Sequence, residues 1–279
     1  MSKKILIIGN GFLGKKCAAA WPDAVLSDKI ITSVKDVEDL IDEHKPDSIL
    51  NAAGIVGKPN VDWCETHQLE TIKGNTILPL LIAEACQHKN VYLLHMGTGC
   101  VYYGYANDPN GWREDDHPNP SAVYTRSKYA ADLALSTLPH VGIARIRMPI
   151  DSQPSAGNLI DKLASFSRVV DVVNSVTVVE DMIYAFKELL EKQAVGIFHV
   201  TNPGAIKHTE ILEMYREIVD PAHTNEWISA QELVDRGLAK KTRSNNILRS
   251  DNLIKLGINM RPVHEAVRDT LKKYALLKK

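Results

Sequence analysis

The glycine pattern at residues 9–14 constrains this chain more than any other feature. The letters GNGFLG directly follow the aliphatic run KILII, and a segment of helical composition begins at Phe12. In a strand–turn–helix unit, Gly9 permits the tight turn, Gly11 lets the backbone approach a pyrophosphate, and Gly14 allows the helix to pack closely on the strand. The helix N-terminus then offers unpaired N–H groups to phosphates. We therefore predict a dinucleotide site formed by Gly9, Asn10, Gly11, Phe12, Leu13 and Gly14.

Beyond this turn, segments with strand and helix patterns alternate along the first half of the chain. One predicted helix covers residues 34–44, and Ser33 and Asp36 before and within it have the spacing of a capping box. Such alternation predicts an α/β fold of the doubly wound Rossmann type, with a parallel sheet covered by helices on both faces. We expect an NAD(P)-binding domain at residues 1–150, to which 168–201 return, and a smaller, mixed but mostly helical substrate lobe at 151–279.

Charge and composition disfavour several classes of protein. The 33 Lys and Arg residues balance 34 Asp and Glu residues, for a formal charge of −1, so nucleic acid is not an expected partner. An apolar run near the ~20 residues of a spanning helix is missing, as is an N-terminal apolar segment, so we expect a cytoplasmic protein with no membrane partner. The ten histidines lack HxxxH or HExxH pairs, which disfavours a metal site. The cysteines lack CxxC spacing and are expected to be reduced: Cys17, Cys64, Cys86 and Cys100.

Residues after the second and third predicted strands bear on the cofactor. Asp28 lies near the ~20-residue offset at which an acid accepts the ribose hydroxyl of NAD, whereas Lys29 can bind the 2′-phosphate of NADP. These two residues leave the choice open, and both can also be solvated turn charges. We expect NADP, used as NADPH, with NAD as the alternative. Small and polar residues that close the third strand are expected to line the cofactor: Asn51, Ala52, Ala53 and Gly54.

Tyr124 and Lys128 form a Tyr-x-x-x-Lys pattern at the start of a predicted helix. Residues four apart share one helix face, so both side chains are expected at one site. A phenol titrates near ~10, and a nearby ammonium together with a positive nicotinamide ring would lower its pKa. Tyr124 is then a candidate acid for a carbonyl oxygen that receives hydride at its carbon. The plain alternative is an amphipathic helix with a tyrosine and an extended lysine.

Five further segments carry a family resemblance that spans most of the chain. They are GIVGKPNVDWCE at 54–65, TGCV at 98–101, RMPI at 147–150, TNPG at 201–204 and RSNN at 243–246. With the glycine turn and Tyr124/Lys128, they make the chain resemble the extended short-chain dehydrogenase/reductases. Within these it is similar to dTDP-4-dehydrorhamnose reductases, and most similar to bifunctional UDP-4-keto-6-deoxy-D-glucose 3,5-epimerase/4-reductases.

The resemblance implies a nucleotide-sugar substrate, NAD(P)H-dependent reduction at C4 and epimerisation at C3 and C5, giving UDP-L-rhamnose. It also implies a homodimer formed through two helices of the first domain. Two alternatives remain open. One is a monofunctional dTDP-4-dehydrorhamnose reductase. The other is a non-catalytic NADP-binding regulatory subunit, which the joint presence of Tyr124, Lys128 and Cys100 disfavours.

Roles for individual residues follow from the same resemblance. Thr98 would bond the substrate carbonyl, Tyr124 would be the acid, and Lys128 would hold the nicotinamide ribose. Cys100 would serve in epimerisation, opposed by Lys162, whose assignment requires a gap in the match.

Other residues have weaker assignments. Asn75 and Asn158 are expected near the substrate, although a polar helix residue explains Asn75 equally well. Cys64 is interpreted as a packing residue. Trp112 and Glu114 fit either a lip over the sugar or an exposed loop.

Overall fold

The structure is a computed structural model that describes residues 3–238 and 243–278. The chain divides into two compact units. The first comprises the chain up to Val101, Pro120–Arg145 and Ile183–Phe198, and the second comprises Tyr102–Asn119, Ile146–Met182 and the chain from His199 onward.

Regular elements alternate through the first part of the chain. They are β1 (Ile5–Ile8), α1 (Phe12–Ala20), β2 (Val25–Ser27), α2 (Val34–His44), β3 (Ser48–Asn51), α3 (Gln68–Ile72), α4 (Leu78–His88), β4 (Tyr92–Thr98), α5 (Val123–Leu135) and β5 (Val141–Ile146). Short 3-10 turns cover Val61–Thr66 and Gly99–Val101, and a π turn covers Lys73–Ile77.

Shorter strands and further helices follow. They are β6 (Pro149–Ile150), α6 (Leu159–Ser165), β7 (Arg168–Val170), β8 (Val173–Asn174), β9 (Thr177–Val178), α7 (Val179–Lys192), β10 (Gly196–Val200), β11 (Ile206–Lys207), α8 (His208–Ile218), β12 (Glu226–Ile228), α9 (Ala230–Asp235), α10 (Asp251–Lys255) and α11 (Val263–Leu277).

A six-stranded sheet in the order β10-β5-β4-β3-β1-β2 forms the centre of the first unit. In its parallel pairs, Ile8 lies opposite Ser27 on one side and Asn51 on the other, and Asn51 lies opposite His95. The carboxyl ends of β1, β2 and β3 therefore lie level with one another at one edge of the sheet. In doubly wound folds this edge binds ligands.

Each unit has its own apolar core. In the first, aliphatic side chains of adjacent strands pack together, among them Leu6, Ile49, Leu93 and Ile143. The second core includes Ile150, Val178, Leu212 and Val267. Every helix within the described ranges is too short or too polar to cross a bilayer.

The structure confirms the predicted Rossmann-type α/β fold and several local features. Helix α2 spans the predicted residues, and its capping box is present, with the Ser33 hydroxyl accepting from Asp36 N and the Asp36 carboxylate accepting from Ser33 N. The valine-rich segment at residues 169–173 is interrupted after Val170, so that β7 and β8 are separate strands. Their different partners explain the break, since β7 pairs with β12 and β8 with β11.

The division into units differs from the boundary expected at residue 150. Residues 102–119 pack with the second unit, because their backbone pairs with the chain near Ile247: Trp112 N donates to Ile247 O at 2.8 Å and Gly104 N to Asn245 O at 3.2 Å. The return to the first unit begins at Ile183 rather than near residue 168. Pairing between segments this distant along the chain cannot be predicted from a local sequence pattern.

Candidate active site

Each of the three glycines in the turn of the first unit has a different structural role. Gly9 has φ +118°, and a Cβ there would lie 2.4 Å from Ala53 N. A Cβ on Gly14 would lie 2.0 Å from Gly9 O, so only glycine lets α1 start this close to β1. At Gly11, in contrast, no atom lies within 4 Å of where a Cβ would be. The turn thus leaves open space at the N-terminus of α1, where Gly11 is the N-cap and adds no side chain.

A cavity of about 190 Å³ adjoins this turn at the carboxyl ends of β1 and β2. Its lining includes Gly9, Asn10, Asp28, Lys29 and Ala53. The Lys29 ammonium lies 3.5 Å from Asp36 Oδ1 and donates to Asp36 O at 3.3 Å, so it is already anchored to α2. The cavity therefore offers one carboxylate and one ammonium to a ribose or its phosphate.

The loop after β3 connects the glycine turn to the predicted reducing residues. Asn51 Oδ1 accepts the Ala53 N–H at 3.0 Å, which fixes the strand end. A Cβ on Gly54 would lie 3.1 Å from Asn75 Oδ1 and 3.8 Å from Lys128 Nζ. The small residues Ala52, Ala53 and Gly54 thus keep this edge open between the glycines and Lys128.

Asn75 is buried in the π turn before α4, and its amide is fully used. Its Oδ1 accepts from Ile55 N at 2.8 Å, and its Nδ2 donates to Ile55 O at 2.9 Å and to Ser127 Oγ at 3.2 Å. Such bonds fix the loop after Gly54 against α5. Direct contact of Asn75 with substrate stays a prediction.

Helix α5 places Tyr124 at its second residue. The Val123 N–H, one of the amides that a helix start leaves unpaired, donates to Glu65 Oε1 at 2.8 Å. The Tyr124 phenol is hydrogen-bonded to the Thr98 side chain. Burial is the largest influence on Tyr124 and raises its pKa, the Cys100 thiol adds to this, and the Thr98 bond opposes it.

That direction is opposite to the lowering expected from the sequence. The protein's own groups favour the protonated phenol, because desolvation of the charged form outweighs the single hydrogen bond from Thr98. Tyr124 is therefore held as a proton donor.

Lys128 is buried one helical turn after Tyr124. Its Nζ donates to Met96 O at 2.8 Å and lies 3.4 Å from His95 Nε2. Burial lowers the pKa of Lys128 to about 8, against the opposing charge of Asp132. An ammonium that titrates this near neutrality is unusual for lysine, whose pKa is ordinarily near ~10.4.

Cys100 and Cys64 differ in solvent exposure, which distinguishes a thiol that can react from one that only packs. Cys100 follows β4 in a 3-10 turn, is partly exposed, and donates its backbone N–H to Thr98 Oγ1 at 3.2 Å. Cys64 is fully buried, and burial raises the pKa of its thiol, which is also bonded to the Thr71 side chain. Cys100 thus shares a site with Thr98 and Tyr124.

Lys162 and Asn158 both belong to α6 in the second unit. The Lys162 side chain is exposed, and partial desolvation lowers its pKa. Asn158 is the N-cap of α6, with Oδ1 accepting from Ile160 N and Asp151 N and Nδ2 donating to Asp151 O. This amide has a structural role, and a substrate contact for it, like the pairing of Lys162 with Cys100, stays a prediction.

Glu114 is not part of an exposed lip. It is buried in the second unit, and its Oε1 accepts from His199 N at 3.3 Å and Asn252 N at 3.2 Å. Trp112 stacks on Tyr102 with ring centroids 4.9 Å apart, and its indole N–H donates to Gly104 O. Both residues therefore stabilise the fold of this unit.

Sequence reasoning missed two residues near the reducing pair. Glu65 lies within one of the segments that carried the resemblance, but its bond to the start of α5 joins residues 58 apart. His95 lies inside β4, where a polar residue in an otherwise apolar strand was the available signal.

Comparison with known proteins finds relatives over most of the chain. A relative from Arabidopsis thaliana, the bifunctional dTDP-4-dehydrorhamnose 3,5-epimerase/dTDP-4-dehydrorhamnose reductase, is 34% identical over 88% of this chain and 82% of its own. The chain spans only 41% of a trifunctional UDP-glucose 4,6-dehydratase/UDP-4-keto-6-deoxy-D-glucose 3,5-epimerase/UDP-4-keto-L-rhamnose-reductase from the same plant, at 32% identity over 95% of this chain.

Two crystal structures extend the comparison. The L780 UDP-rhamnose synthase of Acanthamoeba polyphaga mimivirus matches with a TM-score of 0.90 and 30% identity, covering 98% of this chain and 100% of that one. The dTDP-4-dehydrorhamnose reductase of Bacillus anthracis, in complex with NADP, shares the fold at a TM-score of 0.81 and 22% identity, covering 97% and 99%. The profile of the RmlD substrate binding domain matches residues 4–276, and the chain belongs to that family.

Proposed function

We propose that this protein is an NADPH-dependent epimerase/reductase that converts UDP-4-keto-6-deoxy-D-glucose to UDP-L-rhamnose. The observation that carries the proposal is the Tyr124–Thr98 hydrogen bond with Cys100 beside it, in the unit that also contains the glycine turn. The paired activities of the Arabidopsis relative and the synthase activity of the mimivirus protein, as named, support the same assignment.

The first unit has the features that a dinucleotide needs. The open space at Gly11 and the free helix start suit a pyrophosphate, and the cavity with Asp28 and Lys29 suits the adenosine ribose. A nicotinamide bound at this site would supply hydride to C4 of the sugar. NADP is favoured by the Bacillus anthracis reductase, which binds it, and by Lys29 beside the cavity.

Reduction uses the hydroxyl pair of the site. Thr98 and Tyr124 both present O–H groups, and the ketone oxygen that gains charge is stabilised by such preplaced donors. Tyr124 gives its proton to this oxygen, and the raised pKa of the half-buried phenol keeps that proton in place until charge develops. Lys128 orients the nicotinamide ribose and supplies positive charge near the phenol.

Epimerisation requires a base on one face of the sugar and an acid on the other. Carbons C3 and C5 flank the C4 carbonyl, so the charge left after proton removal is shared as an enolate with the same oxygen that Thr98 and Tyr124 bind. Cys100 is the proposed base, because it is partly exposed next to Thr98. Lys162 is the proposed partner that returns a proton.

Two further expectations belong to this proposal. Asn75 and Asn158 act by fixing loops against which the nucleotide sugar binds. The protein works as a homodimer in the cytoplasm, which light scattering on the purified protein and fractionation of cells would test.

The decisive experiment separates the two activities. The purified protein is incubated with the keto sugar in deuterated water, first without and then with NADPH, and the sugar is analysed by NMR. Deuterium at C3 and C5 without cofactor identifies an epimerase. Cys100→Ala should remove this exchange while sparing reduction of pre-epimerised substrate, and Cys64→Ala, which alters only the buried thiol, should retain both.

The other outcomes identify the alternatives. Reduction of pre-epimerised substrate without exchange identifies a monofunctional reductase. If NADPH binds but is not oxidised with either the UDP-linked or the dTDP-linked keto sugar, the non-catalytic NADP-binding subunit becomes the better assignment.

A further inference from the structure

A chain of buried polar groups lies behind Lys128, and the proposed reaction does not use it. Asn51 and His95 are both fully buried on adjacent strands β3 and β4, and Lys128 is 5% exposed. Asn51 Nδ2 lies 3.0 Å from His95 Nδ1, and His95 Nε2 lies 3.4 Å from Lys128 Nζ. Burial of polar groups is costly unless each donor meets an acceptor, so the protonation states along this chain are constrained.

The orientation of Asn51 fixes the tautomer of His95. Asn51 Oδ1 accepts the Ala53 N–H, so the amide nitrogen must face His95 and donate to Nδ1. Burial and the charge of Lys128 together hold the pKa of His95 well below its usual value, so the ring is neutral. A neutral imidazole carries one N–H, which here must be on Nε2, facing Lys128.

This arrangement disfavours the ammonium form of Lys128. An ammonium has three N–H donors and no acceptor, so its contact with Nε2–H brings two donors together. When Lys128 releases a proton to solvent, the lone pair left on Nζ accepts the Nε2–H, and the remaining N–H groups still include the donor to Met96 O at 2.8 Å. The amine is thus the better hydrogen-bonded form.

The other groups named around Lys128 either favour the ammonium or carry no charge. Asp132, on the next turn of α5, favours the ammonium, but its carboxylate is bonded to Arg145 of β5 at 2.8 Å, which offsets its charge. Tyr124 lies on the preceding turn of α5 and is neutral as a phenol, and Asn75 Oδ1, near Gly54, carries no net charge. Among the described neighbours, His95 is therefore the group whose hydrogen bond favours the amine.

We propose that His95 is a positioning residue of the reductive site: with its tautomer set by Asn51, it adds to the burial of Lys128 in favouring the amine, so that Lys128 is a switchable charge rather than a permanent cation. The significance for turnover rests on the proposed function. If reduction needs the ammonium, its rate falls as the pH rises through the pKa of Lys128, and His95 determines where that fall occurs.

The test measures the tautomer and the lysine titration directly on the whole protein. With ¹⁵N-labelled histidine, the His95 ring should show its proton on Nε2, identified by loss of the signal in His95→Gln. With lysine labelled with ¹³C at Cε, the Lys128 signal, assigned from Lys128→Met, should titrate near pH 8 while exposed lysines titrate near ~10.4. A proton on Nδ1, or an ordinary lysine titration, overturns the proposal.

Two variants then reverse the effect. Asn51→Asp is nearly isosteric and, as a carboxylate, can only accept, so His95 then donates from Nδ1 and presents a lone pair to Lys128. His95→Gln can present an amide oxygen there. Either variant should lower the acid dissociation constant of Lys128 about tenfold or more, so that the ammonium persists to higher pH. The alkaline limb of the pH profile of kcat/KM for reduction should then move to higher pH. Because the His140 ring bonds Ala83 O, 3.0 Å away, and has no bond to Lys128, His140→Gln is the matched control and should change neither.

The NMR readouts need no substrate, so they separate this inference from the proposed function. If Lys128 titrates near pH 8 in the wild type and at higher pH in both variants, but the protein reduces no keto sugar, the proposed function fails and the coupling of His95 to Lys128 stands. If reduction is observed and the Lys128 titration is the same in wild type, Asn51→Asp and His95→Gln, the proposed function stands and the role of His95 is refuted.

Discussion

At the scale of single residues, Tyr124 is the side chain whose replacement should reduce the rate of reduction most directly. Phenylalanine keeps the ring but removes the proton donor and its bond to Thr98. Because general acid catalysis contributes about 10²–10⁴-fold, Tyr124→Phe should lower kcat for reduction by roughly that factor. Stopped-flow loss of NADPH absorbance measures it. Tyr129→Phe, on the same helix, should change kcat less than about twofold, and an equal loss in both variants would contradict the assignment.

Lys29 makes a second residue-scale prediction, about the cofactor. Lys29 lines the cavity at the end of β2. Lys29→Glu should lower kcat/KM with NADPH about tenfold or more relative to NADH, because one charge-assisted hydrogen bond contributes about 1.5–3 kcal/mol. Lys35→Glu, whose native side chain pairs with Asp39 on exposed α2, should leave the ratio unchanged. An unchanged ratio in Lys29→Glu would place the 2′-phosphate elsewhere.

The sequence indicates which residue types can act in the site, but it does not indicate the environments in which the structure places them. The sequence proposes Thr98, Cys100, Tyr124 and Lys128 as site residues, and the structure places these four in the same unit, while their roles stay predictions. It did not predict the direction of the Tyr124 pKa, because that depends on how many groups from other elements exclude water. Burial of Glu114 was missed for the same reason, since its partners His199 and Asn252 are distant in sequence.

At the scale of elements, the start of α5 depends on one acid from another segment. Glu65 accepts the Val123 N–H directly before Tyr124. Glu65→Ala should lower the free energy of unfolding by about 1 kcal/mol, as for loss of a helix cap, and lower kcat by releasing the turn that holds Tyr124. Urea unfolding measures the first effect. Glu65→Gln, which can still accept, should recover most of it, and Glu70→Ala on exposed α3 is the control.

The glycine turn gives a matched pair at the same scale. Gly14→Ala places a methyl 2.0 Å from Gly9 O, so the free energy of unfolding should fall by roughly 3 kcal/mol. Gly11→Ala meets no atom within 4 Å, so it should fold with nearly native stability. Its methyl instead occupies the space proposed for the pyrophosphate, and the Kd for NADPH should rise at least about tenfold. Calorimetric titration with NADPH compares Gly11→Ala with the wild type. An unchanged Kd in this variant would argue against this site.

Elements fixed by neighbours in sequence were predictable, and those fixed from a distance were not. The capping box of α2 joins Ser33 and Asp36, three apart, and was visible in the sequence. The cap of α5 joins residues 58 apart. The π turn before α4 was likewise missed, because the Asn75 bonds to Ile55 that accompany it cross 20 residues.

At the scale of the whole molecule, buried ionisable groups make stability depend on alkaline pH. Burial raises the pKa of Cys17 from 9.0 to about 12 and also raises that of Cys86. Between pH 9 and about 12 the unfolded chain has lost the Cys17 proton that the folded chain retains, so raising the pH favours unfolding. Lys128 acts oppositely: its folded pKa of about 8 lies below the usual 10.5, so it adds stability as pH rises across that window.

The net expectation is a stability that rises just above pH 8, where Lys128 contributes, and then falls above pH 9 as the buried thiols dominate. Each proton contributes a slope of about 1.4 kcal/mol per pH unit. Urea unfolding between about pH 8 and 11 measures this dependence of the free energy of unfolding on pH. Cys17→Ala should reduce the downward slope by up to the contribution of one proton. Because desolvation is the only cause of the Cys17 shift, an equal slope in wild type and Cys17→Ala would mean that water reaches this thiol in the folded protein.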